Sequence, residues 1–187
     1  MLRLLPVRVA RRFVRQQDGS AAIEFAFVAL PFLALLFALL ETALVFFASQ
    51  SLEAAAAESA RLIMTGQAQG LGYSQDQYKT NVVCNYLKSG VSLFDCSNGV
   101  YVSVQSDTNF SAVNTAPPVT NNVLNTTTPL PYSPGSPGCI VAVQLYYQWP
   151  IYVSLLSDNL SNLTGGNRLL VATAVFRNEP YGPTGPC

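Results

Sequence analysis

From Ala21 to Ala48 the chain is almost wholly apolar, and the sixteen residues from Phe25 to Leu40 carry no polar side chain. With its flanks the run reaches ~20–25 residues, which at ~1.5 Å per residue crosses a hydrocarbon core ~30 Å thick. A transmembrane helix is the expected result. The rival reading, a cleaved secretory signal, needs a short apolar core followed by a small-x-small site. Here the run is too long and passes without a break into further helical sequence, although Ala54-Ala55-Ala56-Ala57 has the composition of such a site.

Charge gives the segment a direction. Arg3, Arg8, Arg11, Arg12 and Arg15 precede it, and the next basic residue is Arg61. Cytoplasmic flanks hold the arginines, so the N-terminus is expected in the cytoplasm and the C-terminal body is expected to be exported, as in a single-pass protein of a bacterial inner membrane. From Ser20 onward five positive residues face nine negative ones, so the cationic head is a device separate from the body. Ten Lys and Arg balance ten Asp and Glu, which excludes a basic nucleic-acid binder. Histidine is absent. Its absence removes the commonest general base, the Ser-His and Cys-His nucleophile pairs and most catalytic zinc sites.

Three residues stand out against the apolar background. Glu24 and Glu41 are acids inside or at the edges of a lipid helix, where a central carboxylate costs ~2.5–3.5 kcal/mol on insertion scales. They read either as functional groups or as interfacial residues that reach water. Pro31 lies mid-span, lacks a backbone donor, and is expected to kink or locally melt the helix.

The surroundings of Glu24 are Gln16-Gln17-Asp18-Gly19-Ser20-Ala21-Ala22-Ile23-Glu24-Phe25. A basic, polar leader ends in Gly, a small residue follows, and an acid stands fifth after the Gly, just before the apolar run. Gly19 has no side chain, so an extended backbone there can enter a cleft closely. This junction resembles the prepilin processing site of type IV pilin-like proteins. The resemblance implies that a membrane-embedded aspartic prepilin peptidase cuts between Gly19 and Ser20. A new α-amino group on Ser20 would then meet the Glu24 carboxylate of its own chain or of a neighbour, two charges each costly alone in lipid.

The resemblance reaches further, over about fifty residues. The Glu24-Phe25 pair, Pro31, Glu41 and the Ala/Glu/Arg-rich stretch to Ala68 are similar to the TadE/TadG-like family, pseudopilins of the tight-adherence (Flp) pilus. Beyond those residues Trp149-Pro150 and Phe176-Arg177-Asn178-Glu179-Pro180-Tyr181 carry a weaker likeness. With 187 residues and a C-terminal domain, the chain is similar to the minor-pilin branch rather than to the short major pilins. The family implies other pilins, Tad assembly proteins and membrane lipid as partners, and no cofactor.

Past the membrane, Leu52, Ala55, Ala56, Ser59, Leu62 and Ile63 keep a helical rhythm until Gly66, Gly70 and Gly72. Ser74 and Gln77 have the spacing of a capping box for a second helix with Tyr78, Val82, Val83, Tyr86 and Leu87 on its apolar face and Gly90 at its end. Val100, Val102 and Val104 alternate as a strand after the Asn98-Gly99 turn signal. Residues 106–138 hold six of the twelve prolines and read as a long, partly mobile loop. A strand is expected from Ile140 to Trp149, stopped by Pro150, then a short helix carrying Tyr152, Leu156, Leu160 and Leu163, then a last strand from Arg168 to Phe176. The expected fold class is α+β, with a long N-terminal transmembrane helix continuing as a stalk into a three-stranded antiparallel sheet and two short helices. The segments are a basic leader at 1–19, the transmembrane and stalk helix at 20–66 and an exported domain at 74–187.

Cys84, Cys96, Cys139 and Cys187 all fall in the exported part, where disulfides form. Four cysteines allow three connectivities, of which Cys84–Cys96 and Cys139–Cys187 is preferred because a short loop joins the first pair. Cys84 lies off the apolar face of its helix and is expected to pin the 90–98 loop rather than fill the core. Without histidine or a Cys-x-x-Cys spacing, no metal site is expected. The Asn-x-Ser/Thr triplets at Asn109, Asn125, Asn159 and Asn162 carry no weight in so Asn/Thr-rich a chain. Asp107 and Asp158 form no recognisable catalytic pair, and no phosphate loop is present. A structural assembly subunit is therefore the leading reading and an enzyme is not expected. The alternative is an uncleaved bitopic protein whose exported domain binds a secretion channel or a cell-wall polymer.

Overall fold

One helix carries both the apolar run and the amphipathic stretch after it. In the computed structural model α1 extends unbroken from Ser20 to Met64. The structure describes residues 20–89, 93–126, 129–153 and 160–187. Pro31 lies within α1 and does not melt it: a proline removes one backbone hydrogen bond, and the turns on either side keep theirs. Among the described residues this is the one helix long and apolar enough to cross a membrane, which points to a single-pass, membrane-anchored chain.

The chain divides into two compact units, residues 1–40 and 41–187. In the first, α1 is apolar around its whole circumference, and Phe25, Phe27, Val28 and Leu30 are all exposed. A helix of this kind needs an apolar surrounding rather than one buried stripe.

In the second unit the remainder of α1 buries one stripe, Val45, Ala48, Leu52, Ala55, Ala56, Ser59, Ala60 and Ile63. The alanines let a sheet of bulky residues come close. That sheet has the order β1-β4-β5, with β1 at Val100–Asp107, β4 at Ile140–Pro150 and β5 at Asn167–Arg177, all antiparallel. Register aligns the large residues in rows. Val143 pairs with Val104 and Ala174, Leu145 with Val102 and Ala172, and Tyr147 with Val100 and Leu170. These rows share the core with the α1 stripe. Alternation along the strands sends Tyr146 and Leu169 to the opposite face, where they pack with Leu124 and Leu163.

The second helix begins as expected. Ser74 Oγ accepts from the Gln77 backbone N–H at 3.3 Å, and Gln77 Oε1 accepts from the Ser74 N–H at 3.0 Å. It then departs from the simple helical stripe. A short α2 (Gln67–Gly70) precedes α3 (Gln75–Tyr78), after which one π-helical turn spans Lys79–Val83 before α4 (Cys84–Ser89). The wider turn rotates α4 about the helix axis, so Tyr78, Val83 and Leu87 are buried while Tyr86 turns outward. The same rotation corrects the expectation for Cys84. It is buried at 3% exposure within the core, where Cys96 joins it.

The 106–138 segment is more structured than its prolines imply. A hairpin of β2 (Val119–Thr120) and β3 (Val123–Leu124) turns at Asn121 and Asn122, both with positive φ, the backbone a two-residue primed turn requires. The buried Gln144 of β4 donates to Thr115 O at 2.8 Å, tying this connection to the second face of the sheet. Residues 131–133 then run beside the outer edge of β1: Val104 N–H donates to Pro131 O and Ser133 N–H donates to Val104 O, both at 2.8 Å. Gln75 Nε2 reaches Val102 O at 2.6 Å on the same edge. The short helix expected around 152–163 falls mainly on 154–159, outside the described residues, as does Gly90. Tyr152 is not helical. Gly165 and Gly166, both at positive φ, turn the chain into β5.

Candidate functional site

Leader residues 1–19, Gly19 among them, lie outside the described residues, and of Ser20 only the backbone is described. Ser20 is the first described residue of α1, and the Glu24 side chain is exposed one helical turn later.

Glu41 does not reach water. It is 6% exposed, and its carboxylate accepts two consecutive backbone N–H groups, those of Tyr152 and Val153, the latter at 2.9 Å. The need for such a partner is built into the strand. Pro150 is the last residue of β4, so the amides beyond it have no ladder to join. Ile151 N–H turns back to Gly166 O at 3.3 Å, and the next two amides converge on Glu41. A buried acceptor and two donors satisfy one another, and hydrogen bonds to a carboxylate are stronger than neutral ones. The sequence singles out Glu41 but not its partners, which lie more than a hundred residues away. Pro150 at the end of an apolar strand is the one signal for them.

The far end of α1 is held by the C-terminal segment. Glu179 N–H donates to Met64 O at 2.9 Å, so a terminal carbonyl of the helix is capped. Gly66 comes next at φ 76°, and the ring of Tyr181 lies over it. Asn178, buried, donates through Nδ2 to Pro134 O at 2.9 Å and to Ser136 O at 3.1 Å. Two disulfides complete this unit. Cys84 pairs with Cys96 and Cys139 with Cys187, at Cα separations of 5.7 and 5.5 Å. Beside the first, Phe94 packs edge-on against Tyr147 with centroids 4.9 Å apart, and Trp149 completes an aromatic cluster.

Three phenols, those of Tyr78, Tyr132 and Tyr146, are shifted by their surroundings. Burial pushes Tyr132 and Tyr146 up to about 12 and raises Tyr78 further, so these groups stay protonated at neutral pH and serve packing. Among the described residues no group of three or more His, Cys, Asp and Glu could hold a metal ion. Among the described residues the features that stand out are a long apolar helix, the bonds from Glu41 to the end of β4, and two disulfides.

Residues 19–61 match a protein-family model described as TadE-like protein. The match ends inside α1. No curated protein and no solved structure matches the chain.

Proposed function

We propose, on the premise that residues 19–61 belong to the TadE-like family, that the protein is a minor pilin or pseudopilin of a Tad/Flp-type pilus used in surface adherence. The TadE-like family is one of pilus-associated structural proteins, and other pilus components are the expected partners of its members. The observation that carries the finer reading is the junction in the sequence: a basic leader ends at Gly19, a small residue follows, and an acid stands fifth after that glycine, at the head of the apolar run that lies in α1. Cutting after Gly19 removes five arginines and leaves a free amine at the first residue of a helix. The N-terminal end of a helix already carries partial positive charge, so that amine needs a nearby acid. Glu24 lies ~6 Å further along the axis and is suited to that task. In this reading a prepilin peptidase at the cytoplasmic face makes the cut, and the C-terminal unit stands on the opposite side of the inner membrane.

The test is the intact mass and N-terminal residue of the mature protein from its native host. A chain beginning at Ser20 supports the reading, and replacement of Gly19 by a bulky residue should then leave the leader attached. A mature chain that retains residues 1–19 overturns processing and leaves an uncleaved bitopic protein.

A further inference from the structure

Glu41 directly follows the sixteen-residue apolar run of α1. From Ser20 to Glu41 the axis of α1 advances about 31 Å, against a core ~30 Å thick. The end of β4 is bonded to that same carboxylate through the amides of Tyr152 and Val153. Tyr152 itself turns away from the sheet and is 81% exposed. Leu44, Phe46 and Phe47 are also exposed on α1, ~4.5–9 Å further along the axis from Glu41, a rise comparable to the depth of the head-group layer. No charged residue occurs between Glu41 and Glu53, or from Ile151 to Val153. Exposed aromatic and aliphatic side chains grouped at one level, without charge, are costly in water and favoured at a membrane–water interface.

We propose that Tyr152, with Leu44, Phe46 and Phe47, seats the domain in the head-group layer of the bilayer, the partner being lipid itself. The inference rests on the reading that residues 20–40 span the membrane. Glu41 acts here as a positioning residue: it fixes the β4 end at the level where the helix leaves the hydrocarbon, and Tyr152 makes the contact. Leu44, Phe46, Phe47 and Tyr152 carry no charge, which suits zwitterionic lipid, so the contact should be insensitive to salt and to anionic lipid.

The experiment places a tryptophan at the contact in the full chain, reconstituted in phosphatidylcholine vesicles. Tyr152→Trp is compared with wild type, whose own Trp149 is buried, and with Tyr86→Trp, an exposed position on α4. Both substitutions fall on exposed aromatics, so folding should survive. A nitroxide on the lipid head group should quench the added Tyr152→Trp emission about twofold and leave the other two proteins nearly unchanged, with or without phosphatidylglycerol or salt. Quenching of Tyr152→Trp by aqueous iodide but not by labelled lipid would overturn the proposal. So would shielding that appears only at high protein-to-lipid ratio, which would put a second copy of the chain on this surface. Flotation of the protein with the vesicles separates the seating from the span. Protein that floats without lipid quenching refutes the seating alone, and protein that fails to float refutes the membrane span as well.

Discussion

Gly66 and Tyr181 meet so closely that a β-carbon built on the glycine would come within 2.5 Å of the tyrosine ring. The contact joins the first residues beyond α1 to the segment after β5. Gly66 also sits at φ 76°, a conformation that side-chain-bearing residues adopt only under strain. Gly66→Ala should therefore destabilise the folded domain by ~1–3 kcal/mol from backbone strain, plus whatever the displaced ring costs. Combining it with Tyr181→Ala should relieve the second part and leave the first. Denaturant unfolding of the two single variants and the double variant in detergent measures this coupling. Strictly additive losses would show that the ring contact carries none of the cost.

Glu41→Ala should leave the Tyr152 and Val153 amides without their acceptor, at ~1–3 kcal/mol for each buried donor that water cannot reach. Hydrogen exchange locates the effect: protection of those two amides should fall first, while the central pairs of β4, such as Leu145 with Val102, keep theirs. Glu41→Gln retains a carbonyl oxygen and should fall between wild type and alanine. Unchanged exchange in Glu41→Ala would mean that the two amides are protected by something else.

Alkaline pH should weaken the domain over a defined window. Tyr132 and Tyr146 ionise near 12 in the folded protein and near the usual 10 once unfolded, because burial disfavours the phenolate. A raised folded value gives stability that is intact below pH 10 and is lost as pH climbs toward 12, since only the unfolded chain then releases these protons. Phenolate absorbance should show a stage above pH 10 that coincides with the loss of β-sheet circular dichroism. A single stage near pH 10, with the sheet intact, would contradict the burial of these rings.

Glu24→Gln tests the proposed amine pairing. Membrane insertion should persist, because removing a carboxylate from an apolar helix eases insertion. Cleavage should also persist, because the glycine is what the cleft admits. Recruitment into pili should drop, since an amine left unpaired in low dielectric bears a penalty of ~3–5 kcal/mol. Recruitment at the wild-type level, measured on sheared pili, would reduce Glu24 to an interfacial acid.

Local patterns carry the helices and strands well. The apolar run, the Ser74/Gln77 spacing and the alternating valines are short-range signals whose outcome depends little on distant sequence, and α1, the capping box and β1 conform to them. The π-helical turn at Lys79–Val83 is hidden because an added residue per turn suits packing against the core rather than any local preference. The Asn121-Asn122 turn lies within a stretch whose prolines read as loop, and its strands are two residues each, too short for alternation to register. Glu41 is conspicuous as an acid at the end of an apolar run, yet its partners are backbone amides, which leave no mark on residue identity.

The two margins of the sheet differ. Along β1, the Gln75 side chain and the Pro131–Ser133 segment occupy the outward-facing carbonyl of Val102 and both polar groups of Val104. Along β5, from Val171 to Arg177, no described strand takes up the outward-facing amides and carbonyls. The sheet is thus closed to growth on one side and unfinished on the other. An added strand could not enter beside β1 without displacing what lies there, whereas beside β5 the described residues set no such barrier.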